Sequence, residues 1–231
     1  MSILVEIISE IGINWDGNFN FLSKMISKSK DAGCDAIKLQ AFERATCNNH
    51  PETERLLKSS VTKTNIEEIN ELVKSENMEW FCTPMYPAAV VFLEPYVKRF
   101  KIREIDARML AEGKTTKLID LILKTKKPII ASSENIPLKS EVNNENIQWL
   151  YCIPKYPCNY NEIDFEKMKF FDGYSNHCPK IEAPLEAAKK GAKIIEVHTT
   201  LDKTKNYIDN NVSFDYSELS KLVNEIQILK K

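Results

Sequence analysis

Ala187-Ala-Lys-Lys-Gly-Ala-Lys-Ile-Ile-Glu-Val-His198 runs from a helical pattern, through a glycine, into a β-rich apolar run ending on glutamate and histidine. Ser29-Lys-Asp-Ala-Gly-Cys-Asp-Ala-Ile-Lys-Leu-Gln40 follows the same plan near the start of the chain. In each, two polar side chains stand five and seven residues after the glycine: Lys38 and Gln40 in one, Glu196 and His198 in the other. A helix, a glycine stop and a strand with polar last positions make one βα unit. Strand-like runs recur at Ile3–Ile8, Asp35–Gln40, Met78–Cys82, Arg99–Arg103, Pro128–Ser132, Ile147–Cys152, Asp172–Ser175 and Lys193–His198. Helical spacing fills most of the intervals: Phe19–Ala32, Ile66–Glu76, Ala88–Tyr96, Thr115–Lys124, Asp164–Phe170, Ile181–Lys190 and Tyr216–Leu229. Glu134–Asn146 is polar and carries Pro137, so the fifth helix is expected to be short or missing. Eight alternations predict a closed (β/α)8 TIM barrel, a single domain over residues 1–231. An open doubly wound sheet is the alternative, but no glycine-rich phosphate turn follows the first strand. Phe42 to about Thr64 is long and polar for a connection, which marks it as a candidate functional loop.

Composition narrows the partners. The 231 residues are 43% apolar and 28% charged with a net charge of −1, ordinary for a globular chain and without a basic stripe for nucleic acid. No apolar run approaches the roughly 20 residues of a membrane span. The opening MSILVEIISEIG reads as a first strand and not as a signal peptide. Six cysteines without a CxxC pair suggest free thiols and a cytoplasmic setting.

Side chains two apart on a strand share a face. By that rule the carboxyl ends of the strands offer Glu10, then Lys38 and Gln40, Thr83, Lys101 and Arg103, Ser132, Ser175 and His177, and Glu196 and His198. One histidine at a strand end is ordinarily just a polar residue. Here two of the three in the chain end consecutive strands, which makes half of a metal site. Thr83 and Ser132 could equally bond a neighbouring backbone group, and Glu10 or Glu196 could be core carboxylates holding a lysine. Lys38 and Lys101 must be paired or bind an anion, because a lysine ending an inward strand is not left alone. Two lysines among hydroxyls describe a pocket for a small, multiply charged anion such as a phosphate ester.

The segments SEIGINWDGN, DAGCDAIKLQAF, FCTP, FKI, PIIAS, KYP, GYSNH and EVHTTLDK occur in this order along nearly the whole chain. Together they resemble the sialic acid synthase family, the phosphoenolpyruvate-dependent synthases of nonulosonic acids. The resemblance implies a metal-assisted condensation of phosphoenolpyruvate with the aldehyde of an open-chain N-acetylhexosamine, releasing phosphate. It implies that His177 and His198 are similar to the family's manganese (Mn²⁺) ligands. Lys38, Thr83, Lys101, Ser132 and Ser175 look like the groups that hold phosphoenolpyruvate. Glu10, Gln40, Tyr156 and Asp209 match positions around the sugar and the reacting carbons, and Asp106 the family's catalytic glutamate.

Departures accompany the likeness. Where the family reads KIxSxE, this chain reads Lys101-Ile-Arg-Glu-Ile-Asp106: Glu104 replaces a phosphate-facing serine, and Asp106 is one methylene shorter than glutamate. A carboxylate there would repel a bound phosphate unless Arg103 pairs with Glu104 or the backbone turns it away. Trp15 stands where the family has histidine, and Pro154 where a small polar residue is usual. The sequence ends after the eighth helix, so the expectation is a barrel without the family's antifreeze-like domain, which brings an arginine to the sugar pocket. The partners expected are the two substrates, and either a homodimer mate or a separate antifreeze-like chain. Two alternatives remain at this point: another reaction of phosphoenolpyruvate or an aldehyde, and a catalytically degenerate partner subunit.

Overall fold

The computed structural model describes residues 5–137 and 145–229. Eight parallel strands close into a barrel in sequence order: β1 (Glu6–Gly12), β2 (Ala36–Ala41), β3 (Glu79–Pro84), β4 (Phe100–Ile102), β5 (Ile129–Ser133), β6 (Ile147–Tyr151), β7 (Gly173–Asn176) and β8 (Ile194–His198). Pairing of β1 with β8 closes the ring and sets Glu10 opposite His198. On the other side of β1, Glu10 stands opposite Lys38 of β2. The TIM barrel expected from the alternation is the fold.

The strands bury both faces, so they read as apolar runs with polar ends. Between β1 and β2, α1 (Phe19–Asp31) starts at Asn18, whose side chain accepts from the N–H groups of Asn20 and Phe21. Just past its end Gly33 takes φ 87°, the left-handed stop that the repeat implied. A glycine is also required at Gly173, where β7 passes β8. A Cβ there would lie 2.2 Å from the Ile194 carbonyl oxygen and 2.7 Å from Leu150 Cδ2.

Several details differ from the sequence reading. β1 extends to Gly12 instead of ending at Ile8, because Ser9 and Glu10 stay paired to β8 despite their polarity. The loop after β2 contains two short helices, α2 (Arg44–Cys47) and α3 (Thr53–Lys58). Trp15 is fully buried against this loop; its indole N–H donates to the Ser59 carbonyl at 3.0 Å. After α4 (Ile66–Ser75), β3, α5 (Pro87–Leu93) and β4 comes an unforeseen helix, α6 (Glu104–Ala111). Its sequence is charged, yet Glu104 and Asp106 lie in the first turn, where the helix dipole favours acids, and Ala107, Leu110 and Ala111 are buried. α7 (Lys117–Lys124) follows. The segment expected to lack a full fifth helix falls largely on 138–144, outside the described residues; its described ends are not helical. Between β6 and β7 the return is 3₁₀ in character, Tyr160–Glu162 and Phe165–Phe170, instead of an α-helix. α8 (Glu182–Lys189) and α9 (Tyr216–Ile228) complete the ring. No helix among the described residues is long and apolar enough to cross a membrane.

Candidate active site

The carboxyl ends of the strands surround a cavity of about 160 Å³. That is small beside the roughly 300–1,000 Å³ of pockets for drug-sized molecules, and suits a small acid.

Its floor is a cluster of buried charge. Lys38 Nζ lies 2.9 Å from Glu10 Oε1 and 3.6 Å from Glu196 Oε1, and Lys101 Nζ lies 2.9 Å from Glu196 Oε2. Ser175 Oγ donates to Glu196 Oε1 at 2.8 Å, and Lys38 to Thr83 Oγ1 at 3.4 Å. Gln40 Nε2 donates to Glu10 Oε1 at 2.5 Å. Burial opposes every one of these charges, and pairing decides which survive. For Glu196, burial is outweighed by Lys101 and Lys38, which hold its carboxyl far below the usual range. For Lys38, burial is outweighed by Glu10 and Glu196, so its ammonium is strengthened. For Lys101, burial wins over the pull of Glu196, and its pKa is lowered. Lys101 is therefore the lysine more easily discharged. The carboxylates hold the lysines, and both lysines line the cavity.

Four of the residues lining the cavity carry a buried polar atom without a hydrogen-bond partner: Glu10 Oε2, Glu104 Oε1, Ser132 Oγ and His198 Nδ1. Buried polar groups are rarely left so outside functional sites.

The histidines stand on one side of the mouth with ring centroids 5.5 Å apart. His177 Nδ1 meets the Ile153 carbonyl at 2.7 Å, and a carbonyl can only accept. Nδ1 therefore carries the proton and the Nε2 lone pair is bare. Burial, then the neighbouring His198, pushes the His177 pKa down to about 3, so the ring is neutral at physiological pH. His198 Nδ1 lies 3.3 Å from Asp209 Oδ2. Burial opposes its charge, but Asp209 outweighs it and raises the pKa. Tyr156 lies over the pair, its ring 4.0 Å from that of His177 and 5.6 Å from that of His198, and is 55% exposed.

Two neighbouring imidazoles, that of His177 with its Nε2 bare, fit a divalent cation. An ion held at about 2.1 Å by a ring nitrogen lies about 3.2 Å from that ring's centre, so centroids 5.5 Å apart can share one. Among the described residues no group of three or more His, Cys, Asp or Glu side chains surrounds one point. The protein thus offers two nitrogens and leaves the other positions to oxygen from ligand or water, a set compatible with Mn²⁺.

Of the candidate residues, Glu10, Lys38, Gln40, Thr83 and Lys101 line the cavity, as do Ser132, Tyr156, Ser175, His177 and His198. Asp209 stands behind His198. Asp106 is not on the cavity wall: it lies in the first turn of α6, with Arg103 Nε 2.6 Å from its Oδ2. Of the two ways left open for relieving Glu104, pairing with Arg103 is not the one taken. Glu104 bonds Arg108 one helical turn on, at 2.8 Å, and keeps Oε1 buried and unpartnered on the cavity wall. Met85, Cys152 and Pro154 also line the cavity. Cys152 ends an apolar run and carried no signal that separates it from core.

Comparison with known proteins identifies the family and the fold. N,N'-diacetyllegionaminic acid synthase of Campylobacter jejuni is 28% identical over 97% of this chain and 76% of its own length. Human N-acetylneuraminate-9-phosphate synthase is 26% identical over 97% of the chain and 70% of its own length. Among solved structures, the sialic acid synthetase of Leptospira borgpetersenii, crystallised with citrate, superposes with a TM-score of 0.83 at 27% identity, covering 98% of this chain and 84% of that one. The NeuB family model matches residues 25–231, from the middle of α1 through β8 and the last helix, and the chain belongs to the NeuB family.

Proposed function

We propose that this chain condenses phosphoenolpyruvate with the aldehyde of an open-chain N-acetylhexosamine-type sugar, releasing phosphate and giving a nonulosonic acid. The observation that carries this reading is the buried Lys38–Glu196–Lys101 cluster in the same small cavity whose rim bears His177 and His198. Homology to named nonulosonic acid synthases supports it.

In the reaction, C3 of phosphoenolpyruvate bonds to the aldehyde carbon, water adds at C2, and the C2–O bond to phosphate breaks. Lys38 and Lys101 hold the anionic oxygens of phosphoenolpyruvate, with Thr83, Ser132 and Ser175 as hydroxyl partners. The free Oε2 of Glu10 is the acceptor for the proton of the attacking water. Gln40 steers Glu10, Tyr156 covers the sugar side, and Asp209 supports His198. His177 and His198 would hold Mn²⁺, which when bound polarises the aldehyde oxygen as a Lewis acid. Asp106, turned to Arg103, has no step in this scheme. The free thiols suit a reducing cytoplasm.

A second reading rests on Glu104. Its unpartnered carboxylate oxygen on the cavity wall favours a different reaction or acceptor within the same barrel.

Phosphate release with phosphoenolpyruvate, Mn²⁺ and a panel of N-acetylhexosamines tests the proposal. Stoichiometric release with at least one sugar is expected. No release across the panel, together with no calorimetric binding of phosphoenolpyruvate, refutes it. Binding without release points to the second reading.

A further inference from the structure

Asn14, just beyond the end of β1, is fully buried and touches none of the cavity. Its amide nonetheless makes three hydrogen bonds. Nδ2 donates to the Thr199 carbonyl at 2.8 Å and to Ser213 Oγ at 2.9 Å, while Oδ1 accepts from the Asp209 N–H at 3.1 Å. Ser213 Oγ in turn donates to the Asp209 carbonyl at 2.7 Å. The Asn14 amide therefore reaches both polar groups of the Asp209 backbone, directly at the N–H and through Ser213 at the carbonyl, which the Val212 N–H also meets at 3.1 Å. The two ends of the loop, Thr199 and Ser213, are held by the same amide. Among the described residues no other side chain holds the Asp209 main chain, and Asp209 Oδ2 stands 3.3 Å from His198 Nδ1, an ion-pair contact at a nitrogen that makes no hydrogen bond.

We propose that Asn14 is a positioning residue: it fixes the loop that aims Asp209 at His198, and so sets the tautomer and orientation of that imidazole. A carboxylate behind Nδ1 keeps the proton there and leaves Nε2 bare. Outer partners of a ligating histidine are typically worth about 10- to 100-fold in metal affinity. The consequence for metal affinity rests on the proposed function; the consequence for His198 itself does not.

Two readouts test it on the full chain, with Asn14→Ala, Ser213→Ala and Asp209→Asn variants. The first is the long-range ¹H–¹⁵N spectrum of the imidazoles in metal-free, alkaline buffer; the chain has three histidines, so His198 is readily assigned. The Nδ1–H form is expected for His198 in the wild type, and a shift toward the averaged tautomer in Asn14→Ala and Asp209→Asn, with His177 unchanged. The second is Mn²⁺ affinity from the free-ion signal in electron paramagnetic resonance. Asn14→Ala should weaken binding about 10- to 100-fold. Combining it with Asp209→Asn should add little, because both act through the same contact. Ser213→Ala, which cuts a single link, should give a smaller loss and a fold indistinguishable by circular dichroism. An unaltered His198 signal in a folded Asn14→Ala protein overturns the inference, as do losses that multiply in the double variant. If the wild type binds no Mn²⁺, the manganese reading fails and the imidazole spectra alone decide for or against Asn14.

Discussion

Replacing His177 by asparagine isolates one term of the acid stability. The asparagine amide can still donate to the Ile153 carbonyl that now accepts from His177 Nδ1, but it does not titrate. In the folded protein burial and His198 bring the His177 pKa from 6.5 to about 3. Between those values the unfolded chain binds the proton and the folded chain does not. Stability therefore falls as pH falls through this window. At about 1.36 kcal/mol per pH unit the full gap is worth about 5 kcal/mol, and the stretch from about pH 6.5 to about pH 4.5 about 2–3 kcal/mol. His198 has the opposite sign: its raised pKa contributes stability that is fully present below 6.5 and is lost as pH rises through the folded value. It is thus nearly constant over the acid window and does not mask His177. Urea unfolding of the metal-free wild type and His177→Asn, at matched pH values across that range, measures the difference. The wild type should lose about 2–3 kcal/mol more than the variant. Parallel curves, separated by a constant offset, would refute the claim that His177 is held neutral by burial.

Glu196→Gln removes one of two carboxylates from a cluster with two lysines, and breaking a buried pair in this way costs about 3–5 kcal/mol; chemical denaturation should register it, together with at least about tenfold weaker phosphoenolpyruvate binding by calorimetry. Intact affinity would detach Glu196 from the anion site. Glu104→Ser takes a carboxylate off the cavity wall, where Arg108 balances it only in part; a gain of about 1 kcal/mol, near fivefold in phosphoenolpyruvate affinity, is expected. No gain would place the anion away from α6. Gly173→Ala forces a Cβ to within 2.2 Å of the Ile194 carbonyl oxygen, and should cost at least about 3 kcal/mol, lowering the melting temperature by roughly 6–12 °C. A melting temperature within a degree or two of wild type would show that β7 can shift.

The barrel was legible because each βα unit carries its own local marks, such as Gly33 at the end of α1 and polar residues two apart at the end of β2. Those marks depend on residues close in sequence. The mouth residues were legible for the same reason: strand alternation puts Lys38 with Gln40 and Glu196 with His198. The helix over Glu104–Ala111 was not, since its buried stripe is only Ala107, Leu110 and Ala111 among charges. Nor could pattern tell that Arg103 would turn to Asp106. Asn14 was beyond reach altogether, because its amide partners lie 185 to 199 residues away. No periodicity or spacing encodes a contact of that range.

Under the proposed function, the charge arrangement would keep such a cavity ready for an anion. Lys38 and Lys101 face Glu10 and Glu196, so the four groups sum to zero before any ligand arrives. A pair of unpaired buried lysines would discharge, and burial already lowers Lys101. Glu196 holds its proton in place, yet occupies only one of its three ammonium donors. Among the described residues Lys101 has no other hydrogen-bond partner, so the remaining donors and the unpartnered hydroxyl of Ser132 can meet the oxygen of the proposed substrate. Lys38 has less to give, being shared among Glu10, Glu196 and Thr83. The anion grip should therefore centre on Lys101, with Lys38 chiefly keeping Glu10 and Glu196 apart. Since the polar groups are oriented in advance, binding requires little rearrangement. Loss of Glu196 would then weaken substrate binding by discharging Lys101, even though it removes a negative charge from an anion site.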